Sequence, residues 1–433
     1  MARRNERTGR TATVAIAAAG VLAAIVAGVA AILGAAAVTA RPALFLGAGL
    51  VAFAVVDGLV AYAVGGRTRR AARRRVRWAF FASTSVVLVA AFAVTALRPD
   101  AEAATVPRLP GETVVTVPTG SRLAVVHLPA RGRVHRPPVV VVHGGPGVPD
   151  LPANATAFAP LAAHGSDVYL YAQLGTGRSG RLADPRGYTA DRGVADLEAL
   201  RRHLGLARMV LVGHSYGAAL AADYLAGHPG RVAALALISP GAVDPSDTSS
   251  SGVLGRLPVR RRLHAYAAVL PPRPMLGWAL LQVNPRAAHA FYPDREADAR
   301  NDEVVSRASP ALHCDSASRP QTPSRGTGFY AMQYPQSAAA PRPPDLRHAL
   351  TGLRTPTLIV KGSCDYLSWH SAVEYRRLLP RSRLVYLHGV GHNLHQDRPA
   401  LVCAMISALL DGRRLPVAAY TRDAAPKDYQ GPA

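Results

Sequence analysis

The chain has 433 residues, 49% of them hydrophobic, and carries 50 Lys and Arg against 27 Asp and Glu, a formal charge of +23. This length is enough for two or three folding units with a sizeable core. The positive charge is nearly all arginine, lysine occurring only at 361 and 427, and no zinc-ligand spacing, RNP motif or helix-turn-helix pattern accompanies it, which argues against a nucleic-acid partner.

Residues 12–39, 43–65 and 78–97 are three apolar stretches, each reaching the ~20 residues that a helix needs to cross a bilayer core. Arg3, Arg4, Arg7 and Arg10 precede the first, only Arg41 separates the first from the second, and seven arginines fall in 67–77 between the second and third. The positive-inside rule then predicts a cytoplasmic N-terminus and 67–77 loop, with everything after residue 98 outside the cell membrane. A cleaved signal peptide is the alternative for residues 1–40, but its apolar region would be far longer than the ~7–15 residues expected. Asp57 lies inside the second stretch. An intramembrane carboxylate is a candidate for proton relay or pairing, yet no other charged partner lies in the spans, which favours a residue facing the helix bundle.

Residues 98–112, rich in Pro, Ala and acids, read as a linker. Thr113–Val117 and Arg122–Leu128, joined by Pro-Thr-Gly-Ser, predict a β-hairpin. Val139–Val142 is four valines without alternation, the pattern of a strand buried on both faces, and it runs into His143-Gly144-Gly145-Pro146-Gly147, whose backbone N–H groups suit an oxyanion. Helical and strand patterns then alternate: 154–164 helix, Asp167–Gln173 strand, 191–204 helix, Met209–Val212 strand, 218–226 helix, Val232–Ile238 strand. Residues 241–350, with many prolines and short helical patterns, break the rhythm and read as an inserted helical cap. Alternation resumes with strand 355–360, helix 369–379, strand 383–387 and helix 399–412. This is the order of a mostly parallel α/β sheet with helices on both faces. The expected organisation is a membrane anchor (1–100), two core segments (105–240 and 351–412), the cap between them, and a flexible tail (413–433).

Gly213-His214-Ser215-Tyr216-Gly217 joins an apolar strand directly to a small-residue helix, the strand–turn–helix form of a nucleophile elbow. A serine hydroxyl needs a base to take its proton and a carboxylate to orient that base. Asp365 follows strand 355–360 and His392 follows strand 383–387, in loops that open on the edge where Ser215 stands. Asp244 is the alternative acid and His395 the alternative base, while His214, inside the elbow, reads as a packing residue.

The motifs HGGPG (143–147), GHSYG (213–217), Asp365 and GVGH (389–392), with Val194–Arg201 before the elbow, resemble the α/β-hydrolase fold and within it the proline iminopeptidase-like serine peptidases, over about residues 110–240 and 350–412. The resemblance implies catalysis by Ser215, His392 and Asp365, an oxyanion hole from the N–H groups of Tyr216 and Gly145, with Gly144 as a further candidate, and no cofactor or metal. It departs from the family at Ala172–Ser179, where the glycines remain but the usual Asp and Arg of Asp-Gln-Arg-Gly-x-Gly-x-Ser are replaced. The expected activity is removal of N-terminal residues from short peptides through an acyl-enzyme; an esterase or lactonase with the same triad is the alternative, and a non-catalytic membrane binding protein a further one. Acids to hold a substrate ammonium are sought in the cap, at Glu296 and Glu303, among interleaved Arg295, Arg300 and Arg307; a solvated, ion-paired helix face is the plainer reading of that cluster. Outside the cytoplasm, Cys314, Cys364 and Cys403 permit one disulfide, and Cys314 with Cys364 would tie cap to core beside Asp365.

Overall fold

The computed structural model describes residues 2–432 apart from 69, 100, 101, 133 and 248, and side chains from residue 11 onward. The side chains of Arg3, Arg4, Arg7 and Arg10, and Arg69, all part of the arginine asymmetry around the apolar stretches, lie outside the described residues. In chain order the first part comprises α1 (Ala2–Val38), α2 (Pro42–Gly66), α3 (Arg73–Phe92), β1 (Glu112–Thr116), β2 (Arg122–Leu128), β3 (Val139–Val142), α4 (Leu151–Ala163), β4 (Val168–Tyr171), α5 (Ala190–His203), β5 (Met209–His214), α6 (Tyr216–Gly227) and β6 (Val232–Ile238). Six helices follow: α7 (Val259–Val269), α8 (Pro272–Val283), α9 (Pro285–Phe291), α10 (Asp294–Ala308), α11 (Phe329–Gln333) and α12 (Arg347–Leu350). The chain closes with β7 (Thr357–Cys364), α13 (Trp369–Leu378), β8 (Ser382–Gly391), α14 (Leu394–Asp397) and α15 (Pro399–Leu410).

Two compact units result, one of Met1–Asp100, Leu270–Pro293 and Ser337–Ala339, the other of the remainder. In the first, Thr11–Val38, Pro42–Gly66 and Arg73–Leu97 are each long and apolar enough to cross a membrane. Their outward faces carry bare apolar side chains such as Leu22, Val51, Leu59 and Val87, as lipid-facing helices do. Asp57 is fully buried, its Oδ2 accepting hydrogen bonds from Thr84 Oγ1 (2.7 Å) and Ser85 Oγ (2.9 Å), so that it clamps α2 to α3. The sequence pattern treats 241–350 as one cap, but α8 and α9 belong to the unit of the three long apolar helices. They lie on the ends that share one side: Asn284 Nδ2 donates to Ala36 O at the end of α1 (2.8 Å), Phe291 meets Phe45 at the start of α2 (ring centroids 6.4 Å apart), and Arg273 donates to Ala96 O beyond α3 (3.1 Å). Leu276, Leu280, Leu281 and Phe291 supply the apolar face for this packing, whereas Met275 and Trp278 remain half exposed.

The second unit is built on an eight-stranded sheet of order β1-β2-β4-β3-β5-β6-β7-β8, antiparallel in the β1–β2 and β2–β4 pairs and parallel in the rest. The two-residue period of a strand divides its side chains between two cores. Val140, Val142, Leu211, Leu235 and Ile359 join Leu197 and Leu200 of α5, Leu220 and Tyr224 of α6 and Val373 of α13 on one face. Val139, Val141, Val210, Val212 and Val360 join Phe158 of α4 and Met405 and Ile406 of α15 on the other. The parallel alternation expected from the sequence is thus present, with one difference. Strands β7 and β8 run further than their apolar cores, pairing as far as Cys364↔Gly391 after a register shift, which carries the ladder up to Asp365 and His392. Residues 413–432, expected to be loose, form no helix or strand but lie against the core, with Tyr420 N donating to Leu384 O (2.7 Å) and Pro432 O accepting from Trp369 N (2.8 Å).

Candidate active site

The site gathers at the C-terminal ends of β3, β5, β7 and β8. Ser215 sits between β5 and α6 with φ 55° and ψ −121°, a backbone region costly for any residue with a Cβ. Around it the turn is closed so tightly that a Cβ at Gly213 would lie 2.4 Å from Gly217 O, and one at Gly217 would lie 2.2 Å from Val142 O. That explains the glycine spacing: only bare backbone lets strand, turn and helix meet. As the first residue of α6, Tyr216 has an N–H with no carbonyl one turn back to receive it.

Facing this turn is the loop after β3. Gly145 takes φ +118°, open to glycine alone, and a Cβ at Gly144 would lie 3.0 Å from Ser215 Cβ. Buried His143 holds the loop. Gln173 N–H donates to its Nε2 (2.9 Å), which leaves the ring proton on Nδ1, 2.9 Å from Gly144 O. Burial pulls His143 down to about 4, consistent with a neutral ring. Gln173, which persists where the neighbouring family residues do not, also donates through Nε2 to His143 O (2.7 Å).

His392 Nδ1 lies 2.7 Å from Asp365 Oδ1, and both side chains are buried. The carbonyl of His392 accepts from Ser239 Oγ (3.0 Å) and lies 3.1 Å from His214 Nε2, fixing the loop that carries the ring. Burial pushes the Asp365 carboxyl up, but Lys361 and then His392 outweigh it and hold Asp365 well below the usual carboxylate range. Ser215 and His392 line one cavity of about 260 Å³ with Val148, Val253, Val305, Leu312 and Met332. Ser215 and Tyr216 also line a larger one of about 510 Å³, with Asp191 and Asp223 in its wall. The alternative residues have other partners. Asp244 pairs with Arg347 (2.8 Å), and His395 Nε2 lies 3.0 Å from Asn154 Oδ1 with its ring stacked on Phe158. Burial, then neighbouring His392, pulls His395 down to about 3. His214 packs against both of these rings, at 4.8 Å from His392 and 4.5 Å from His395, and burial together with these rings keeps it neutral.

Glu296 and Glu303 are not brought to Ser215: neither lines either cavity. Glu303 pairs with Arg300 (2.7 Å) and Arg307, while Glu296 is buried in the same helix. The other acids of α10 brace the unit. Asp298 meets Arg181 (2.9 Å) and accepts from Phe329 N (2.8 Å), and Asp302 accepts from Thr327 N (2.8 Å). A disulfide joins Cys314 to Cys364, next to Asp365, whereas Cys403 is a buried free thiol that burial pushes up to about 12. Two residues escaped the sequence reading. The Tyr366 ring packs against His392 at a tilt (centroids 4.6 Å apart, planes 50° apart) and Lys361 meets Asp365; their signal was adjacency to the acid, a Tyr after it and a Lys four residues before. Among the described residues no cluster of His, Cys, Asp and Glu is arranged to hold a metal.

Parallel sheet, glycine elbow and an Asp–His pair on neighbouring strand ends define a hydrolase of the α/β fold. The chain belongs to the α/β-hydrolase fold family, whose model matches residues 137–399. It is 31% identical over 290 residues to the Homo sapiens (lyso)-N-acylphosphatidylethanolamine lipase, a match covering 64% of this chain and 80% of that protein. To the proline iminopeptidase of Lactobacillus helveticus it is 26% identical over 289 residues, covering 64% and 91%. The crystal structure of the Mycobacterium smegmatis proline iminopeptidase aligns with a TM-score of 0.47 at 20% identity, covering 69% of this chain and 98% of that one.

Proposed function

We propose that the protein is a membrane-anchored serine hydrolase that cleaves acyl esters of amphipathic, lipid-like substrates on the extracytoplasmic side. The observation that carries the reading is the buried His392–Asp365 pair, 2.7 Å apart, in a largely apolar cavity shared with the strained Ser215. Ser215 Oγ attacks the acyl carbonyl carbon as its proton passes to His392 Nε2, Nδ1 being tied to Asp365. The oxyanion receives the N–H groups of Tyr216 and Gly145, with Gly144 keeping the loop within reach. Collapse releases the alcohol, protonated by His392, and leaves an acyl-Ser215 ester. Water, deprotonated by the same imidazole, then attacks that ester, releasing the acid and restoring Ser215.

Two things support an ester over a peptide. Val148, Val305, Leu312 and Met332 offer an acyl chain an apolar wall, and neither Glu296 nor Glu303, the carboxylates expected to bind an amine, lines a cavity at Ser215. Anchoring rests on the three apolar helices and the arginines crowded into 67–77, which favour a cytoplasmic loop and an exterior hydrolase unit. Trp278 and Met275, half exposed on the helix pair that sits on the span ends, suit the membrane–water boundary. A second reading, aminopeptidase activity, is favoured by Asp191 and Asp223 beside Ser215, where a substrate ammonium would find carboxylates. The test uses the full chain in detergent with p-nitrophenyl esters of rising acyl length, a monoacyl lipid in mixed micelles, and aminoacyl arylamides. Ester turnover that disappears in Ser215→Ala is expected. Faster turnover of the arylamides would replace the ester reading with the peptidase one.

A further inference from the structure

We infer that Lys361 is a positioning residue for this reaction: its buried ammonium, 2.9 Å from Asp365 Oδ2, balances the charge of the carboxylate behind His392 and so governs how the activity of the triad depends on pH. The inference rests on the Ser215–His392–Asp365 reading and assigns a fourth group to it.

Asp365 has two oxygens with different partners. Oδ1 takes His392 Nδ1 (2.7 Å) and Leu367 N (3.2 Å), while Oδ2 faces Lys361 from the same strand end. Both members of the ion pair are completely shielded, at 0% exposure. Residues 429–432 close over them. Gln430 N donates to Ser363 O (2.9 Å), Tyr429 Oη to Leu367 O, and Gly431 passes so close that a Cβ there would lie 2.5 Å from Asp365 O. The Tyr429 ring centroid is 6.0 Å from Lys361 Nζ. A lone ammonium in such a place would lose its proton. Burial does pull Lys361 down, and Asp365 is the main influence opposing it. The choice of lysine is itself informative in a chain whose only other lysine is Lys427: a compact charge on a flexible stem fits beneath the strand where a planar guanidinium demands a wider cradle.

The consequence is electrostatic. With Lys361 charged, Asp365 ionised and His392 neutral, the group has no net charge. Without the ammonium it carries one negative charge and binds a proton more readily, whichever of Asp365 or His392 holds it. The other groups that face the pair are His214, Tyr366, Tyr429, Arg256 and Asp247. The rings are neutral near pH 7, and Arg256 and Asp247 act with opposite signs, so neither replaces the contact at Oδ2.

The test is the pH profile of kcat/KM for a soluble short-chain ester, measured on the full-length wild type, Lys361→Met and Lys361→Gln. A unit charge one carboxylate away, at an effective dielectric of about 20, moves the acid limb by roughly one to two pH units. Lys361→Met is expected to shift that limb upward by this amount, losing about tenfold at pH 7 and returning to within about threefold of wild type near pH 9. Lys361→Gln, which keeps a hydrogen-bond donor without the charge, gives the same reading should the Met variant fail to fold. In an Asp365→Asn background the shift should vanish. An unmoved limb, or an equal loss at every pH, overturns the inference. Turnover that survives Ser215→Ala overturns the triad instead, so the two failures are distinct.

Discussion

Ser215 gives the sharpest test of the elbow because two substitutions remove its hydroxyl and differ only at Cβ. At φ 55° and ψ −121° an L side chain is strained by about 1–3 kcal/mol. Alanine retains that strain, whereas glycine relieves it at a cost of about 0.5–1 kcal/mol in unfolded-chain entropy. Ser215→Gly should therefore be more stable than Ser215→Ala by about 1 kcal/mol, which in a unit of this size corresponds to a rise in melting temperature of roughly 1–2 °C. Both should lose on the order of 10³-fold or more in turnover. Scanning fluorimetry of both proteins in one detergent, beside ester hydrolysis, measures the two effects. If Ser215→Ala melts at or above Ser215→Gly, the elbow stores no strain and the argument from its dihedrals is wrong.

Gly217→Ala should be far more damaging than either, because the new methyl meets the Val142 and His143 carbonyls at 2.2 and 2.4 Å; loss of labelling by a fluorophosphonate probe is expected, and normal labelling would contradict the packing. Buried neutral His143 and His395, pulled down to about 4 and about 3, take up protons more readily when unfolded. Their contribution is complete above pH ~6.5 and is lost as pH falls toward those values, by about 1.4 kcal/mol per pH unit for each. The melting temperature should accordingly drop between pH 6.5 and 4.5, and His395→Gln should flatten the drop; an unchanged slope in that variant would exclude His395 as a source. Protease added to intact cells should digest the region after residue 110 and spare a tag placed within 67–77; the reverse pattern would invert the orientation.

What the sequence could and could not reveal follows from the range of the interactions. The elbow, the four-valine strand and the placement of Asp365 and His392 after their strands depend on neighbours a few residues apart, so spacing and residue type were sufficient to find them. The eight-strand order adds long crossovers but obeys the alternation already visible. Other features depend on contacts between distant segments. Nothing local in Pro272–Phe291 distinguishes a cap helix lying on the sheet from one lying on Ala36, Phe45 and Ala96. The acids of α10 read as a solvated, ion-paired face, with Glu296 or Glu303 as candidates for a substrate amine; that Asp298 and Asp302 instead brace the unit depends on Arg181 and Thr327, which come from distant segments. Composition alone marked residues 413–432 as loose, because a polar segment held by backbone hydrogen bonds and aromatic contacts shows no periodicity. Trp369 against Tyr420 and Tyr429, with ring centroids 5.2 and 5.4 Å apart, is such a contact.

The chain passes between its two units at 100/101, 269/270, 293/294, 336/337 and 339/340. The three N-terminal apolar helices are therefore not a detachable leader. A soluble version begun near residue 105 would still carry α8 and α9 while lacking the helices they rest on, leaving Leu276, Leu280, Leu281 and Phe291 bare to water. Four such side chains form the kind of sticky patch that drives association, and an aggregated truncation would say nothing against the catalytic unit. Dividing the molecule calls for two simultaneous cuts: removal of the N-terminal helices, and replacement of 270–293 by a short polar bridge.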